Sequence, residues 1–275
     1  MFWRSEGVLI GLTTFLLAFF SWALIHIGAP AQTKAAESLT LSITASPPDA
    51  DNFPPAPPAQ TSNQSSAIVA PWQGPAAPIV LNPSPGAPEF SRLPVSEPVV
   101  FVGIDDGWYQ SPENLAWLKV HHLPFSLFLV DSQIRGNYDY FHQLQNAGMT
   151  IEDHSATHPD FTKLKLEDQQ AQICSTADSY QTVFGRRPAF FRPPYGDYNS
   201  DTQTAAATCG MKALINWRVV LDNGVIQYQP PATHLEAGDI ILVHFQSDLI
   251  PNMQALNAEL EKDHLQVARL EDWLR

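Results

Sequence analysis

The stretch that decides the fold is VVFVGIDDGW, residues 99–108, in which a strand-like run of six residues ends on two aspartates. Similar short runs recur along the chain, namely FSLFLV (125–130), MTIED (149–153), AFFR (189–192), KALINW (212–217), DIILVHF (239–245) and LQVARL (265–270). Most are separated by stretches that favour helices, namely 112–122, 138–148, 166–185, 200–210 and 251–264. Alternation of strands and helices predicts a parallel sheet that is covered by helices.

The number of strand–helix units indicates which α/β architecture the chain adopts. About six or seven strand–helix units fit a distorted or incomplete (β/α) barrel of the α/β class better than a sandwich. In such barrels the residues that carry chemistry lie at the carboxyl ends of the strands. Polar side chains at those ends are therefore the candidates for a functional site.

The N-terminal region contains a long apolar segment, VLIGLTTFLLAFFSWALIHI at residues 8–27, without Asp, Glu, Lys or Arg. As a helix, twenty such residues span roughly the 30 Å hydrocarbon core of a bilayer. We therefore expect residues 1–28 to be an uncleaved membrane anchor. Small residues at Ala29 and Ala31 leave a removed signal peptide as the alternative. Either way, the rest of the chain is expected outside the cytoplasm, membrane-anchored or secreted.

The next segment is rich in proline. Fifteen of the 24 prolines lie between Pro30 and Pro98. Such a composition buries too little apolar area to offset the ordering of the chain. We therefore predict a disordered tether over residues 29–98, with the apolar residues 79–81 unpacked, and a folded domain over residues 99–275.

Charge and cysteine content exclude some classes of function. The formal net charge is −13, whereas phosphate recognition needs clustered Lys and Arg, so nucleic-acid binding is disfavoured. Two cysteines, Cys174 and Cys209, are too few for a disulfide framework or a multi-cysteine zinc site. They either form one bridge between neighbouring helices in an oxidising compartment or remain separate thiols. Nothing in the sequence indicates a protein partner.

Two pairs of residues after the predicted strands have ligand chemistry. Asp105 and Asp106 close the first strand, and His154 and His158 follow the third. The i, i+4 spacing brings two imidazoles to one side of a turn, which is a common arrangement for two zinc ligands. A carboxylate and two imidazoles would bind a divalent metal and leave positions open for water and substrate.

Further polar residues lie at or just after the carboxyl ends of other predicted strands. Arg192 ends the fourth strand, Tyr195 lies in the rigid turn after it, and His244 ends the strand at 239–245. Each of these residues alone is more often structural than functional. Their shared position at the carboxyl ends of separate strands predicts that they meet at one barrel mouth, where carboxylates and histidines serve as acid and base.

At these residues the sequence resembles the polysaccharide deacetylase family, carbohydrate esterase family 4, of chitin and peptidoglycan N-deacetylases. IDDG (104–107) is similar to the TFDDGP motif of the family, and HSATHP (154–159) to its histidine motif. RPPYG (192–196) is similar to the RxPY motif, and LVH (242–244) to the late Leu-x-His motif. The resemblance covers roughly residues 99–245, and we expect it to continue to the C-terminus.

The resemblance implies a role for each matching residue. Asp105 would be the general base that activates the attacking water, and Arg192 would fix and tune it. His244 would protonate the departing amine. The metal ligands would be Asp106, His154 and His158. The implied ion is one divalent metal, with zinc expected and cobalt, nickel or manganese as alternatives.

Three residues would contact the substrate under the same resemblance. The backbone N–H of Tyr195 would stabilise the oxyanion, Leu242 would line the acetyl pocket, and Trp217 would belong to the fourth motif of the family. That motif also contributes an aspartate that tunes the acid histidine. Asp222 is the candidate here, in an uncertain register.

The sequence departs from the family pattern around the first motif. Gly103 and Ile104 stand where Thr-Phe is usual, and Trp108 stands where Pro is usual. These residues change the walls of the site and leave its ligands in place.

The resemblance implies a metal-dependent enzyme that removes N-acetyl groups from polysaccharides containing N-acetylglucosamine, such as peptidoglycan or a chitin-like glycan. An O-acetyl polysaccharide esterase is the first alternative, because amide and ester hydrolysis pass through the same tetrahedral intermediate. A noncatalytic glycan-binding module that keeps the metal site is the second.

Overall fold

The computed structural model describes residues 74–75, 77–82 and 85–275. The predicted membrane anchor and most of the predicted tether lie outside these residues. Within the described part of the chain, no helix has the length and apolar character needed to cross a membrane.

The described residues form strands that alternate with helices, as the sequence predicts. The strands are β1 (Glu89–Phe90), β2 (Val99–Asp106), β3 (Ser126–Leu129), β4 (Thr150–Asp153), β5 (Phe190–Phe191), β6 (Ala213–Ile215), β7 (Val219–Asp222), β8 (Val225–Tyr228), β9 (Ile240–His244) and β10 (Gln266–Val267). The helices are α1 (Pro112–His121), α2 (Asp131–Ile134), α3 (Tyr138–Asn146), α4 (Leu166–Phe184), α5 (Ser200–Thr208), α6 (Leu249–Asp263) and α7 (Leu270–Trp273).

The strands form one curled sheet in the order β1-β6-β5-β4-β3-β2-β9-β7-β8, with β10 paired to β2. The pairs are parallel except for the β7–β8 hairpin. This arrangement confirms the predicted α/β fold with an incomplete (β/α) barrel.

Strand β2 shows how the two faces of the sheet are used. Val100, Val102 and Ile104 pack into the core beneath the helices. Val99 and Phe101 belong to a second core that includes Phe128, Phe190 and Trp273. Because side chains alternate along a strand, Asp105 extends from the same face as Val99 and Phe101. The apolar barrel interior therefore ends on a carboxylate.

Local sequence explains where several helices begin and end. The Ser111 hydroxyl accepts a hydrogen bond from the Asn114 N–H at 3.0 Å and caps α1, whose first residue is Pro112. A capping box of Asn199 and Thr202 begins α5. Helix α4 ends at Gly185, whose φ of 72° is readily adopted by glycine.

The folded part begins earlier than the predicted boundary at residue 99. Strand β1 pairs in parallel with β6, and the Leu93 N–H donates to the Gly238 carbonyl at 2.8 Å. Leu93 is buried, and Ile79 and Leu81 pack against the same apolar cluster. Prolines flank the paired residues 89–93 without interrupting them, so backbone pairing and apolar burial anchor this part of the proline-rich segment.

The structure resolves the alternatives that the sequence left open for the cysteines. Cys174 in α4 and Cys209, at the end of α5, form a disulfide. The bond joins two neighbouring helices over a sequence separation of 35 residues.

Candidate active site

The predicted site residues lie at the carboxyl ends of neighbouring strands. Asp105 and Asp106 end β2, His154 directly follows β4, Arg192 directly follows β5, and His244 ends β9. Strand β2 lies between β3 and β9, and β4 and β5 continue the sheet on one side. The parallel arrangement therefore brings residues that are far apart in sequence to one edge.

Asp106, His154 and His158 form a cluster that could hold a metal ion. One ligand atom from each lies within 4.8 Å of the others. The Asp106 Oδ1 atom is 3.6 Å from the Nε2 atoms of both histidines. Tetrahedral zinc ligands, each about 2.1 Å from the ion, lie about 3.4 Å apart. The donor types and their spacing therefore fit a divalent ion of the zinc type.

The orientation of His154 suits a metal ligand. Its Nδ1 atom lies 2.7 Å from the Arg192 carbonyl oxygen, so a proton on Nδ1 leaves the Nε2 lone pair facing Asp106. Burial lowers the pKa of His154 to about 3, and the neighbouring charges of His158 and Arg192 act in the same direction, although Asp106 opposes them. The imidazole is therefore neutral at physiological pH, as a metal ligand must be.

The loop that carries the histidines is held from beneath by Asp153. The Asp153 carboxylate accepts a hydrogen bond from the Ser155 N–H at 2.7 Å, and the Ser155 hydroxyl accepts one from the His158 N–H at 2.9 Å. Asp106, Ser155 and His158 all have positive φ values, at 75°, 76° and 60°. Non-glycine residues adopt this conformation only where surrounding contacts impose it.

Asp105 and Arg192 form an ion pair inside the barrel. The Arg192 Nη1 atom lies 2.5 Å from Asp105 Oδ1, and the two side chains are 2% exposed for Asp105 and 0% for Arg192. The guanidinium carbon lies 4.1 Å from the ring centre of Phe128, and Nε donates to the Ile215 carbonyl at 2.8 Å. Arg192 therefore has a fixed position, and it fixes Asp105.

Gly103 makes room for this arginine. A Cβ atom at position 103 would lie 2.4 Å from Arg192 Nη1, which is closer than atoms can approach. Glycine at position 103, where the family usually has threonine, therefore leaves the space that the Arg192 guanidinium group occupies. The departure is visible in the sequence but its function is not, because Arg192 is 89 residues away along the chain.

The second carboxylate oxygen of Asp105 faces the metal-ligand cluster. Asp105 Oδ2 lies 3.6 Å from His154 Nε2. Burial raises the pKa of Asp105, and the charges of Arg192 and His244 partly offset this effect. A carboxylate whose pKa is raised toward neutrality is a stronger base than an exposed one.

Tyr195 and Trp217 form one wall of the site. The Tyr195 ring lies 4.7 Å from the His158 ring, and the Trp217 ring lies 5.8 Å from the Arg192 guanidinium carbon. Tyr195 has a φ of 63°, and its N–H donates to no acceptor among the described residues. This N–H is therefore available to a ligand, as the sequence prediction requires.

His244 and Leu242 lie on the other side of Asp105. The register of β2 and β9 places Asp105 beside His244 and Gly103 beside Leu242. Leu242 is 3% exposed, and His244 is half-buried. Asp222 ends β7, but its carboxylate accepts a hydrogen bond from the Asn223 side chain, and no hydrogen bond joins it to His244. A role for Asp222 in tuning His244 gains no support from this geometry.

Comparison with known proteins agrees with the motifs. The family model for polysaccharide deacetylase matches residues 92–214. An uncharacterized protein of Streptomyces coelicolor is 32% identical over 192 residues, which cover 68% of this chain and 77% of that protein.

Two characterised relatives match shorter parts. A bifunctional xylanase/xylan deacetylase of Cellvibrio japonicus is 30% identical over 52% of this chain but only 23% of its own length. A peptidoglycan-N-acetylglucosamine deacetylase of Bacillus cereus is 24% identical over 60% of this chain and 66% of its own length.

The fold is shared with solved structures. The chitin deacetylase of Colletotrichum lindemuthianum superimposes with a TM-score of 0.59 at 18% identity, covering 69% of this chain and 92% of that one. The agreement in fold extends beyond the residues that carry the motifs.

Proposed function

This chain belongs to the polysaccharide deacetylase family, carbohydrate esterase family 4, and we propose that it removes N-acetyl groups from a polysaccharide that contains N-acetylglucosamine. The observation that carries the proposal is the position of the buried Asp105 carboxylate beside the cluster of Asp106, His154 and His158. A base and a metal site are thereby brought to the same point.

The metal site fits the family, whose deacetylases use a divalent ion. Asp106, His154 and His158 would hold this ion, and we propose zinc because carboxylates and imidazoles are common zinc donors. Cobalt, nickel and manganese are the alternatives to test. When bound, the ion supplies Lewis-acid polarisation of the acetyl carbonyl and lowers the pKa of water.

Asp105 serves as the general base in this proposal. Its free oxygen faces the ligand cluster, while Arg192 holds the other oxygen at 2.5 Å. Asp105 can therefore accept the proton of the attacking water without changing its own position. Arg192 acts through Asp105 and is a positioning residue.

The remaining steps belong to Tyr195 and His244. As the carbonyl carbon becomes tetrahedral, the unpartnered Tyr195 N–H can donate to the oxygen that gains negative charge. His244, beside Asp105 in the β2–β9 register, can deliver a proton to the departing amine nitrogen. Leu242 and Trp217 line the space where the acetyl methyl group would lie.

An O-acetyl ester is the second candidate substrate, because one relative is a xylan deacetylase. The geometry favours the amide, since an amine leaving group depends more strongly on protonation and His244 is placed to supply it. Acetate release from the two substrate types distinguishes the candidates.

We propose an extracytoplasmic location for the enzyme. The Cys174–Cys209 disulfide supports this, because such bonds form and persist in oxidising compartments. Attachment to a membrane through residues 8–27 belongs to the same proposal.

The test of this function is acetate release by the full chain. Chitooligosaccharides, peptidoglycan and acetyl-xylan are compared in the presence of chelator and after addition of zinc, cobalt, nickel or manganese. We expect release from the first two substrates, loss of activity with chelator, and recovery with metal. Asp105→Asn is the control that should remove activity while metal remains bound. Release that survives the chelator would overturn the mechanism, and binding without release would identify a noncatalytic module.

A further inference from the structure

A cavity of about 270 Å³ lies beside the candidate active site. Two of its walls come from strand β1 and the residue after it, which the sequence assigned to the tether. The residues that line it include Glu89, Ser91, Tyr195, Tyr198, Asn216 and Trp217. Its volume is sufficient for a single pyranose ring.

The cavity shares a wall with the candidate metal site. Tyr195 lines the cavity, and its ring is 4.7 Å from the ring of the metal-ligand candidate His158. Trp217 also lines it and faces Arg192. A glycan whose acetamido group reaches the metal ligands would therefore place a neighbouring sugar in this cavity.

The lining has the chemistry of a carbohydrate site. Tyr195 and Tyr198 are 63% and 37% exposed and offer aromatic faces to a sugar ring. The Asn216 side chain donates to the Gly196 carbonyl at 3.2 Å, while its Oδ1 atom is buried without a hydrogen-bond partner. Ser91 adds a hydroxyl group. The hydroxyl groups of Ser91 and Tyr198 can exchange hydrogen bonds with the hydroxyl groups of a sugar.

The charge of the cavity is negative. Among the described residues that line it, Glu89 is the one that carries a formal charge. Burial raises the pKa of Glu89, and its interaction with the Asn216 side chain partly offsets this effect. The nearby cation Arg92 is already paired, at 2.9 Å with Glu236 and at 3.7 Å with Asp239. An anionic ligand would therefore meet a carboxylate with no lining cation to balance it.

We propose that this cavity is the subsite for the sugar next to the one that is deacetylated, and that Glu89 makes it select a hexosamine without an acidic substituent. The inference rests on the proposed function and adds a substrate preference to it. A muramic acid residue with a free lactyl carboxylate is disfavoured there, whereas a neutral or amine-bearing hexosamine is accepted.

Two tetrasaccharides that differ only in charge test the proposal. Both alternate N-acetylglucosamine with N-acetylmuramic acid, and the lactyl group is a carboxylate in one and a carboxamide in the other. The internal N-acetylglucosamine has a muramic acid on both sides, so for this residue the chain direction does not matter. We expect the full-length enzyme to use the carboxamide form with a kcat/KM about fivefold higher at low ionic strength, as for one like-charge contact near a surface.

Three variants assign this preference to Glu89. In Glu89→Gln the ratio of the two kcat/KM values should fall to about one, and in Ser91→Asp, which adds a carboxylate, it should rise. Glu261→Gln removes an exposed carboxylate near the end of α6 and should keep the wild-type ratio. The proposal would be overturned if the wild-type ratio of the two kcat/KM values were near one. It would also be overturned if Glu89→Gln left the wild-type ratio unchanged.

A binding measurement separates this proposal from the proposed function. Calorimetric Kd values for the same two tetrasaccharides require no turnover. If no acetate is released from any substrate but the Kd ratio depends on Glu89, the subsite stands and the proposed reaction fails. If acetate is released and neither ratio depends on Glu89, the reaction stands and the subsite fails.

Discussion

The ion pair between Asp105 and Arg192 should be strongly cooperative in stability, and a double-mutant cycle measures this. Both side chains are almost fully buried and lie 2.5 Å apart. Removing one partner of such a pair leaves a buried charge without compensation, which costs about 3–5 kcal/mol. We therefore expect Arg192→Met and Asp105→Asn each to lower the free energy of unfolding by about that amount.

The double variant should be much less destabilised than the sum of the two. With both charges removed, the methionine introduced by Arg192→Met can still pack on Phe128 through its apolar chain, and replacing a buried pair by neutral groups is often close to neutral. The coupling free energy should therefore be at least about 2 kcal/mol. For a domain of this size, a coupling free energy of this magnitude corresponds to a shift of roughly 1 M in the urea midpoint.

The assay is urea unfolding with chelator present, so that bound metal does not contribute to the free energy. Lys262→Met, which breaks the exposed pair with Glu259 at 2.7 Å, is the control and should leave the midpoint unchanged. If the two single effects add to within about 0.5 kcal/mol, Asp105 and Arg192 are energetically independent and the positioning argument is refuted.

Three further predictions concern the metal, the acid and the disulfide. His158→Ala should lose stoichiometric metal in elemental analysis while its circular dichroism spectrum persists; full metal content with full activity would show that the ligand assignment is wrong. His244→Ala should slow amide hydrolysis by about 10²–10⁴-fold and activated aryl esters much less, as followed by acetate and chromophore release; equal losses would indicate a structural role. Replacing Cys174 and Cys209 by serine should lower the free energy of unfolding by about 3.5–4 kcal/mol, which is the chain-entropy value for a loop closed over 35 residues. A urea midpoint equal to that of the oxidised protein would contradict this.

The barrel and its polar edge could be predicted from sequence because one physical pattern determines both. Strand-like runs such as 99–104 and 239–245 are short, apolar and followed by polar residues, and parallel strands place those residues at a common edge. The structure accordingly brings Asp105, His154 and His244 to the same edge of the sheet. Predicting that these residues share one edge requires no knowledge of contacts between distant parts of the chain.

The elements that escaped prediction depend on contacts with distant parts of the chain. Strand β1 is two residues long in a proline-rich segment, and it is ordered because it pairs with β6. The β7–β8 hairpin did carry a local indication. Asn223 and Gly224 both have positive φ values, of 52° and 73°, as the turn between two such strands requires, and Asn-Gly is a common pair there.

Within the site, ligand types could be predicted but the fit between side chains could not. The interdependence of Gly103 and Arg192 requires knowing that β2 and the end of β5 approach each other across the barrel interior. The pairing of Asp222 with Asn223 was likewise invisible, because it depends on the conformation of one turn.

The proposed subsite and most of the proposed catalytic groups come from different parts of the sequence. Residues 92–214, which match the family model, contain the candidate base, the three candidate ligands and Arg192. Glu89 and Ser91 precede this match, and Asn216 and Trp217 follow it, yet all four line one cavity beside the ligands. A change at Glu89 would alter the electrostatic potential felt by the neighbouring sugar without touching Asp105 or a ligand. The charge preference proposed for the subsite and the reaction itself can therefore be altered independently, by Glu89→Gln in one case and by Asp105→Asn in the other.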